Sequence, residues 1–190
     1  SHLLLASSAT RERFLALAGR HSVVHVAAHT QALESTPLAS ALALSPSAGQ
    51  SGALYAYELM NLRFTDTRLL VLSACSSARD IRQGFQGISG FVRPLLAAGI
   101  PAVVGSLWKV EDQAASSLMR SFHESYRQIG DAPKALRDAQ LRAIETSKDP
   151  LRNLESWAAF QLYGAAADPS DAGPAIPSKK PQAAGATPSG

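Results

Sequence analysis

The sequence predicts an α/β fold built around a largely parallel sheet. Three apolar runs, at 22–29, 69–75 and 101–108, contain few polar residues and therefore indicate strands that are buried on both faces. Amphipathic helical patterns lie between and after these runs. Strands that alternate with helices favour a parallel sheet covered by helices, and 190 residues suffice for one core of this kind.

The first third of the chain begins this alternation. We expect a short strand at His2–Ala6, and then a helix whose N-cap is one of the Ser and Thr residues within 7–10. The run 22–29 is the next strand, because it is apolar, contains β-branched residues and ends in a polar residue. Residues 30–52 are rich in Ser, Pro, Gly and Ala, which predicts a mobile loop with one brief strand.

The rest of the chain continues the pattern up to about residue 163. Its elements are predicted from apolar spacing and from Gly, Pro and Asp residues at their ends. They are a helical turn at 57–60, the strand 69–75, a loop at 76–90, a helix at 91–98, the strand 101–108, helices at 112–129 and 131–144, and a core-packing segment at 157–163. Asp112 and Asp131 are the predicted N-caps of the two long helices.

Composition excludes several classes of protein. The formal net charge is only +3, and no basic cluster is longer than the pair Lys179–Lys180, so nucleic-acid binding has little support. One cysteine excludes an internal disulfide framework, and no spacing suggests a zinc site; we expect no metal and no cofactor. No apolar run approaches the roughly 18–20 residues of a membrane helix, so we expect a cytoplasmic protein without a membrane partner.

The composition changes sharply near the end of the chain. Residues 168–190 hold five of the eleven prolines and no aromatic residue, which predicts a disordered tail after a single domain at 1–167. The chain begins with Ser1 rather than Met. We therefore expect that it lacks the amino-terminal part of its fold.

Two strand ends carry candidate catalytic groups. Cys75 follows the run that begins at Leu69, and His29 ends the run 22–29, 46 residues earlier. Side chains at the carboxyl ends of neighbouring parallel strands can converge on one substrate. A histidine can stabilise a cysteine thiolate and protonate the leaving amine, and a histidine about 50 residues before the cysteine is the caspase spacing.

Five sequence pieces, in order, resemble the CHAT domain, a caspase-like peptidase-type domain often found behind tetratricopeptide repeats in bacteria. The resemblance extends from Val23 to Tyr163, which is about three quarters of the chain. The pieces are Val24-His25-Val26-Ala27-Ala28-His29, Leu72-Ser73-Ala74-Cys75, the stretch from Ala98-Gly99-Ile100-Pro101 to Lys109-Val110-Glu111-Asp112, Ala135-Leu136-Arg137-Asp138-Ala139-Gln140, and Trp157-Ala158-Ala159-Phe160.

This resemblance implies a caspase-like three-layer sandwich with a mainly parallel central sheet. It implies that His29 and Cys75 form the dyad of a cysteine endopeptidase that acts on a protein or peptide. Upstream tetratricopeptide repeats or a regulatory protein are the implied partners, and the enzyme would be latent until such a partner orders its loops. Asp112 matches an aspartate that clan relatives such as separase use to hold a basic residue before the cleaved bond.

The sequence departs from the family pattern near both dyad residues. Thr30 replaces the glycine that follows the histidine in many relatives, Ser76-Ser77 replaces Glu-Thr, and Gly84-Phe85-Gln86-Gly87 replaces Gly-Glu-Gly. A second hypothesis is therefore a catalytically degenerate caspase-like module that serves in protein interaction or signalling. A third, an amidotransferase, is weaker because no Gly-x-Cys-x-Gly motif surrounds Cys75.

Several residues also have purely structural interpretations. His25 would be a core histidine with a hydrogen-bond partner, and His123, one step off the apolar face of its helix, would lie on the surface. Asp112 could serve only as an N-cap. The remaining large aromatic residues of these motifs are predicted core anchors, and they are Trp108, Trp157 and Phe160.

Overall fold

A central four-stranded sheet organises the molecule. The computed structural model describes residues 2–33, 35–73, 89–147, 149 and 154–164. The strands of this sheet are β1 (Val23–Val26), β5 (Leu69–Leu72), β6 (Ala102–Ser106) and β7 (Phe160–Gly164), in the spatial order β1-β5-β6-β7. The first three are parallel and β7 is antiparallel to β6, so the predicted mainly parallel sheet is confirmed.

A second, smaller sheet follows β1 in the chain. It contains β2 (His29–Gln31), β3 (Ala41–Ala43) and β4 (Ala53–Tyr55), all antiparallel, with β3 in the middle. The predicted loop at 30–52 is therefore wrong for much of its length, although the brief strand within it is confirmed. Short strands of small residues are hard to recognise from sequence, because Ala and Ser carry little strand preference.

Helices cover both faces of the central sheet. They are α1 (Arg11–Ala18), α2 (Ala56–Leu59), α3 (Ser89–Ala97), α4 (Asp112–Ile129), α5 (Ala132–Thr146) and α6 (Leu154–Trp157). No helix in the described part of the chain is long and apolar enough to cross a membrane.

The side chains of β5 show how three layers pack together. Leu70 and Leu72 belong to one core cluster with residues of α1, α2 and α3, whereas Leu69 and Val71 belong to another with residues of α4 and α5. Successive residues of a strand point to opposite faces, so a strand that is apolar throughout contacts a helix layer on each side. The three-layer α/β sandwich predicted from the sequence is confirmed.

Helix ends agree with most of the predicted capping residues. Thr10 precedes α1 and its side chain accepts a hydrogen bond from the Arg13 N–H at 3.3 Å. Asp131 accepts from the Lys134 N–H at 2.9 Å at the start of α5. Gly130 ends α4 with φ of 68°, a left-handed conformation that glycine adopts without strain.

The amino-terminal segment differs from its prediction. His2–Ala6 does not form a strand; it is irregular up to Leu5 and then enters a 3₁₀ turn, Ala6–Ser8. Leu3 and Leu5 are exposed. An apolar run becomes a strand only where a neighbouring strand can accept its backbone hydrogen bonds, and no neighbour pairs with this segment among the described residues.

Of the three aromatic residues predicted to anchor the core, one is fully buried and two are only half-buried. Phe160 is fully buried, as predicted, and it begins β7. Trp108 and Trp157 are only half-buried at the margin of the core. The Trp108 indole N–H donates to the Glu155 carbonyl at 2.7 Å, which satisfies the polar end of a ring that lies partly in solvent.

Candidate functional site

The carboxyl ends of β1 and β5 lie side by side. The two strands are parallel with Val26 opposite Leu72, and the Ser73 N–H donates to the Val26 carbonyl at 2.9 Å. Cys75 comes two residues after Ser73, but it lies outside the described residues. The structure therefore fixes where the chain that leads to Cys75 leaves the sheet.

His29 lies close to this edge, on a different sheet from the one predicted. The predicted strand 22–29 ends at Val26, and His29 begins β2, where it is opposite Ala43 of β3. Its side chain is exposed, whereas the following residue, Thr30, is almost completely buried. Successive side chains of a strand point to opposite sides, so Thr30 is buried in the protein and the imidazole of His29 is accessible to a substrate.

One large cavity is lined by His29 and Asp112, two of the three predicted site residues. Its volume is about 850 Å³, and His29, Ser73 and Asp112 all contribute to its wall. It also extends along β1, towards α1 and the amino-terminal segment. Three positions that are far apart in the sequence therefore border one space, and the segment that bears Cys75 begins at its wall.

Asp112 contributes an exposed carboxylate to this cavity. The prediction that Asp112 is the N-cap of α4 is wrong, because Glu111 holds that position and Asp112 is the first helical residue. No side chain caps this helix by a hydrogen bond. In the described part of the chain, Asp112 makes no hydrogen bond or ion pair, so its carboxylate remains available to a ligand.

A pair of histidines lies on the same cavity. His123 of α4 and His25 of β1 are 3.0 Å apart between Nε2 and Nδ1, so they share a hydrogen bond. The pKa of His25 falls to about 4, first because burial in the protein disfavours the charged ring, and second because of repulsion from His123. Burial also lowers the pKa of His123.

Comparison with known proteins identifies the family. A model of the CHAT domain matches residues 1–165. The chain belongs to the CHAT domain family. Its parallel sheet between two helix layers is the caspase-like fold expected of a CHAT domain.

A mouse relative also matches part of this CHAT domain. Tetratricopeptide repeat protein 28 of Mus musculus is 31% identical over 111 residues, which is 58% of this chain and 4% of the relative. The chain therefore spans a small fraction of the length of that protein. The relative's name is consistent with an association between CHAT domains and tetratricopeptide repeats.

Sequence reasoning missed the histidine pair of the CHAT domain. His25 has a hydrogen-bond partner, as predicted, but it lies in the cavity wall, where part of the residue meets solvent although its ring is enclosed enough to lower its pKa. His123 is half-buried and contacts His25, so it does not lie free on the surface. The sequence spacing within α4 could have indicated that His123 faces the candidate site, because Asp112, Met119 and His123 all line the cavity from one side of the helix. All five histidines of the chain line this cavity, and they are His2, His21, His25, His29 and His123.

We expect the histidine pair to make folding sensitive to acid. Both rings have lowered pKa values in the folded state, so the unfolded chain binds protons that the folded chain does not accept. The stabilising contribution is complete above about pH 6.5 and is lost as the pH falls towards 4. The measurement is the urea midpoint at pH 7.5 and pH 5 for the parent and for His25→Gln.

Comparing the loss of stability of the parent with that of His25→Gln separates the effect of His25 from the effects of other titratable groups. Asp112 and Arg120 also line the cavity, and both are present in parent and variant. The parent should lose more stability than His25→Gln between the two pH values. Equal losses would show that His25 does not contribute to the pH dependence.

No metal centre is evident in the part of the chain that the structure describes. Among the residues that the structure describes, no group of three or more His, Cys, Asp and Glu side chains could hold a metal ion.

Proposed function

We propose that this CHAT domain is a cysteine endopeptidase in which His29 and Cys75 act together. The observation that carries the proposal is that His29 and Ser73 line one cavity, with Cys75 two residues further along the chain. The carboxyl edge of a parallel sheet is where catalytic residues of such folds collect. An exposed imidazole beside this edge can take up and release protons during catalysis.

The proposed reaction has two steps. The Cys75 thiolate attacks the peptide carbonyl, and His29 gives a proton to the amine as the C–N bond breaks. Water then attacks the resulting thioester, with His29 as the base that accepts its proton. Backbone N–H groups near Thr30 and Cys75 would stabilise the negative charge on the substrate oxygen in both steps.

A thiol-reactive peptide probe tests this proposal. A low-pKa thiolate beside a histidine reacts much faster than an ordinary thiol, so Cys75, the only cysteine of the chain, should be labelled faster at neutral pH in the folded protein than in the denatured protein. His29→Ala should slow the labelling by roughly tenfold or more. If denatured parent and folded parent react at the same rate, Cys75 is an ordinary thiol and the proposal fails.

The alternative is a caspase-like module without activity. The replacements at Thr30 and Ser76-Ser77 favour it, because they alter the residues that flank both dyad positions. Such a module would have an unreactive Cys75 and would act by binding another protein. The probe experiment therefore separates the two functions.

Latency is a further part of the proposed function. His29 depends for its position on the small sheet β2-β3-β4, whose strands have only three residues each. Tetratricopeptide repeats or another regulatory protein, acting on this sheet, would raise a low basal activity. Full turnover by the isolated chain would contradict this part of the proposal without contradicting the dyad.

Asp112 is expected to favour Arg or Lys before the cleaved bond. A carboxylate on the cavity wall can form a charge-assisted hydrogen bond with a basic side chain, worth about 1.5–3 kcal/mol. Asp112→Asn should therefore lower kcat/KM for basic substrates by about tenfold to a hundredfold. The measurement is a peptide library profiled with both proteins, together with their melting curves.

Glu111→Gln is a matched control for this experiment. Glu111 is the adjacent carboxylate, but it lines a separate cavity beside α4 and α5. Removing it changes the net charge equally and leaves the larger cavity unaltered. If both variants lose the preference for basic residues to the same extent, Asp112 has no specific role.

A further inference from the structure

The outer edge of β1 is open in the part of the chain that the structure describes. β1 is the last strand on its side of the central sheet, and it pairs with β5 only. All four residues of β5 are buried, whereas Val26 is the only buried residue of β1. An edge strand presents a row of backbone hydrogen-bonding groups to which another extended chain can pair.

The hydrogen bonds between β1 and β5 identify which backbone groups face this open side. The Leu69 N–H donates to the Ser22 carbonyl at 3.1 Å. Because the carbonyl and the N–H of a trans peptide point in opposite directions, the Val23 N–H faces away from β5. The same alternation places the N–H and C=O groups of His25 and the N–H of Ala27 on the open side. No strand pairs with these groups among the described residues.

The cavity of about 850 Å³ lies along this open edge. Every residue of 23–29 contributes to its wall, and seven residues of extended chain span about 20 Å. Helix α1 borders the cavity through Phe14 and Leu17, and α4 borders it through Ser116 and Arg120. A single extended segment fits between these helices, whereas a second folded copy would bring its own α1 and α4 into the same space.

The two sides of the cavity differ in polarity. Val26 belongs to the core cluster that contains Phe14 of α1, and Val24 packs against that cluster. On the other side of β1, His25 shares a hydrogen bond with His123 of α4. A strand added beside β1 would point successive side chains to these same two sides. Its residues should therefore be apolar at every second position and polar between them.

Arg120 adds a preference for negative charge on the polar side. It is exposed, lines the cavity and makes no ion pair within the described ranges of the chain. A guanidinium can hold a carboxylate by two parallel hydrogen bonds. Asp112 lies eight residues earlier on α4, about 12 Å along the helix axis, so it does not neutralise Arg120.

We infer that the open edge of β1 binds an extended segment of a partner protein, apolar at every second residue and with a carboxylate that pairs with Arg120. The segment adds a fifth strand to the four-stranded sheet. Backbone hydrogen bonds supply affinity, and the alternate side chains supply specificity. The inference concerns binding alone, so it does not depend on whether Cys75 is a catalytic nucleophile.

A synthetic peptide of sequence Thr-Val-Glu-Val-Thr-Val-Thr, labelled with fluorescein, is the probe. Fluorescence anisotropy with the whole chain should show saturable binding. A strand that pairs on one side uses only every second N–H group. N-methylation of the three valines and N-methylation of the Glu and the two inner residues that alternate with them should therefore differ, with one pattern abolishing binding and the other preserving it.

Arg120→Gln tests the charged contact. It should weaken binding of the probe by about tenfold or more, and it should leave binding of a peptide with Gln in place of Glu unchanged. Arg127→Gln is the matched control, because Arg127 is exposed on the same helix, two turns further along and outside the cavity wall. It should bind the probe as the parent does.

Several outcomes would overturn the inference. Absence of binding, or equal effects of the two N-methylated peptides, would show that no strand is added to β1. Equal losses for Arg120→Gln and Arg127→Gln would show general charge attraction without a specific contact. Dimerisation of the chain that the peptide prevents would assign the edge to a second copy. Melting curves verify that each variant is folded.

Discussion

Cys75→Ala is expected to abolish peptide cleavage while the melting temperature stays near that of the parent. Loss of a catalytic nucleophile lowers kcat by several orders of magnitude, because no other group replaces its bond to the substrate. A single sulfur atom contributes little packing next to a strand end, so the fold should tolerate its removal. The measurement is kcat/KM for a peptide substrate, together with a thermal scan.

His29→Ala should produce a comparable loss of activity, and Gln31→Ala provides its control. Gln31 lies two residues further along β2 on the same exposed side of the strand. Its removal perturbs the same strand without removing an imidazole. Undiminished cleavage by purified Cys75→Ala protein would refute the assignment, and equal losses for His29→Ala and Gln31→Ala would show only that β2 is needed.

Phe122→Ala is expected to have the largest effect on stability. Phe122 is completely buried in the core cluster between the sheet and helices α4 and α5. Truncating a buried phenylalanine costs about 3–5 kcal/mol, because apolar contacts are lost and a cavity remains. For a protein of this size the melting temperature should fall on the order of 10 °C.

Ile129→Ala is the matched variant on the same helix. Ile129 is the last residue of α4 and is 37% exposed, so it buries much less of its side chain than Phe122 does. Its truncation should cost about 1 kcal/mol or less. If urea unfolding gives similar values for both variants, Phe122 does not anchor the layer formed by α4 and α5.

The elements predicted best are those whose burial is complete. The strand that begins at Leu69 and the strand at 101–108 have continuous apolar runs, and both lie in the middle of the sheet. Helix α4 has a regular apolar face and ends at Gly130, as its sequence indicates. In these elements, local preference and tertiary packing favour the same structure.

The elements predicted poorly depend on neighbours that sequence alone does not reveal. His2–Ala6 has the composition of a strand but pairs with none among the described residues. The run 22–29 is divided between two sheets, because β1 pairs with β5 only as far as Val26, and the chain pairs with β3 from His29 onward. No residue in that run has a special backbone preference that would mark the division.

Parts of the candidate site could be predicted, and others could not. The apolar pattern indicates the strands that precede His29 and Cys75, but that these strands, β1 and β5, are neighbours is known only from the structure. The contact between His25 and His123 joins residues 98 positions apart, and it depends on how α4 crosses the sheet. The position of Cys75 and the function of the dyad remain predictions, to be tested by the probe and by substitution.

The division of the predicted strand after Val26 has a mechanical consequence. The two members of the proposed dyad have different supports, since Cys75 follows a strand of the central sheet and His29 belongs to the small sheet. All four residues of β5 are buried, whereas β2 has only three residues, two of them exposed, so we expect a displacement of β2 to cost less free energy. A partner that binds to β3 or β4 and displaces the small sheet would therefore move the imidazole of His29 relative to the thiol of Cys75 without unfolding the core.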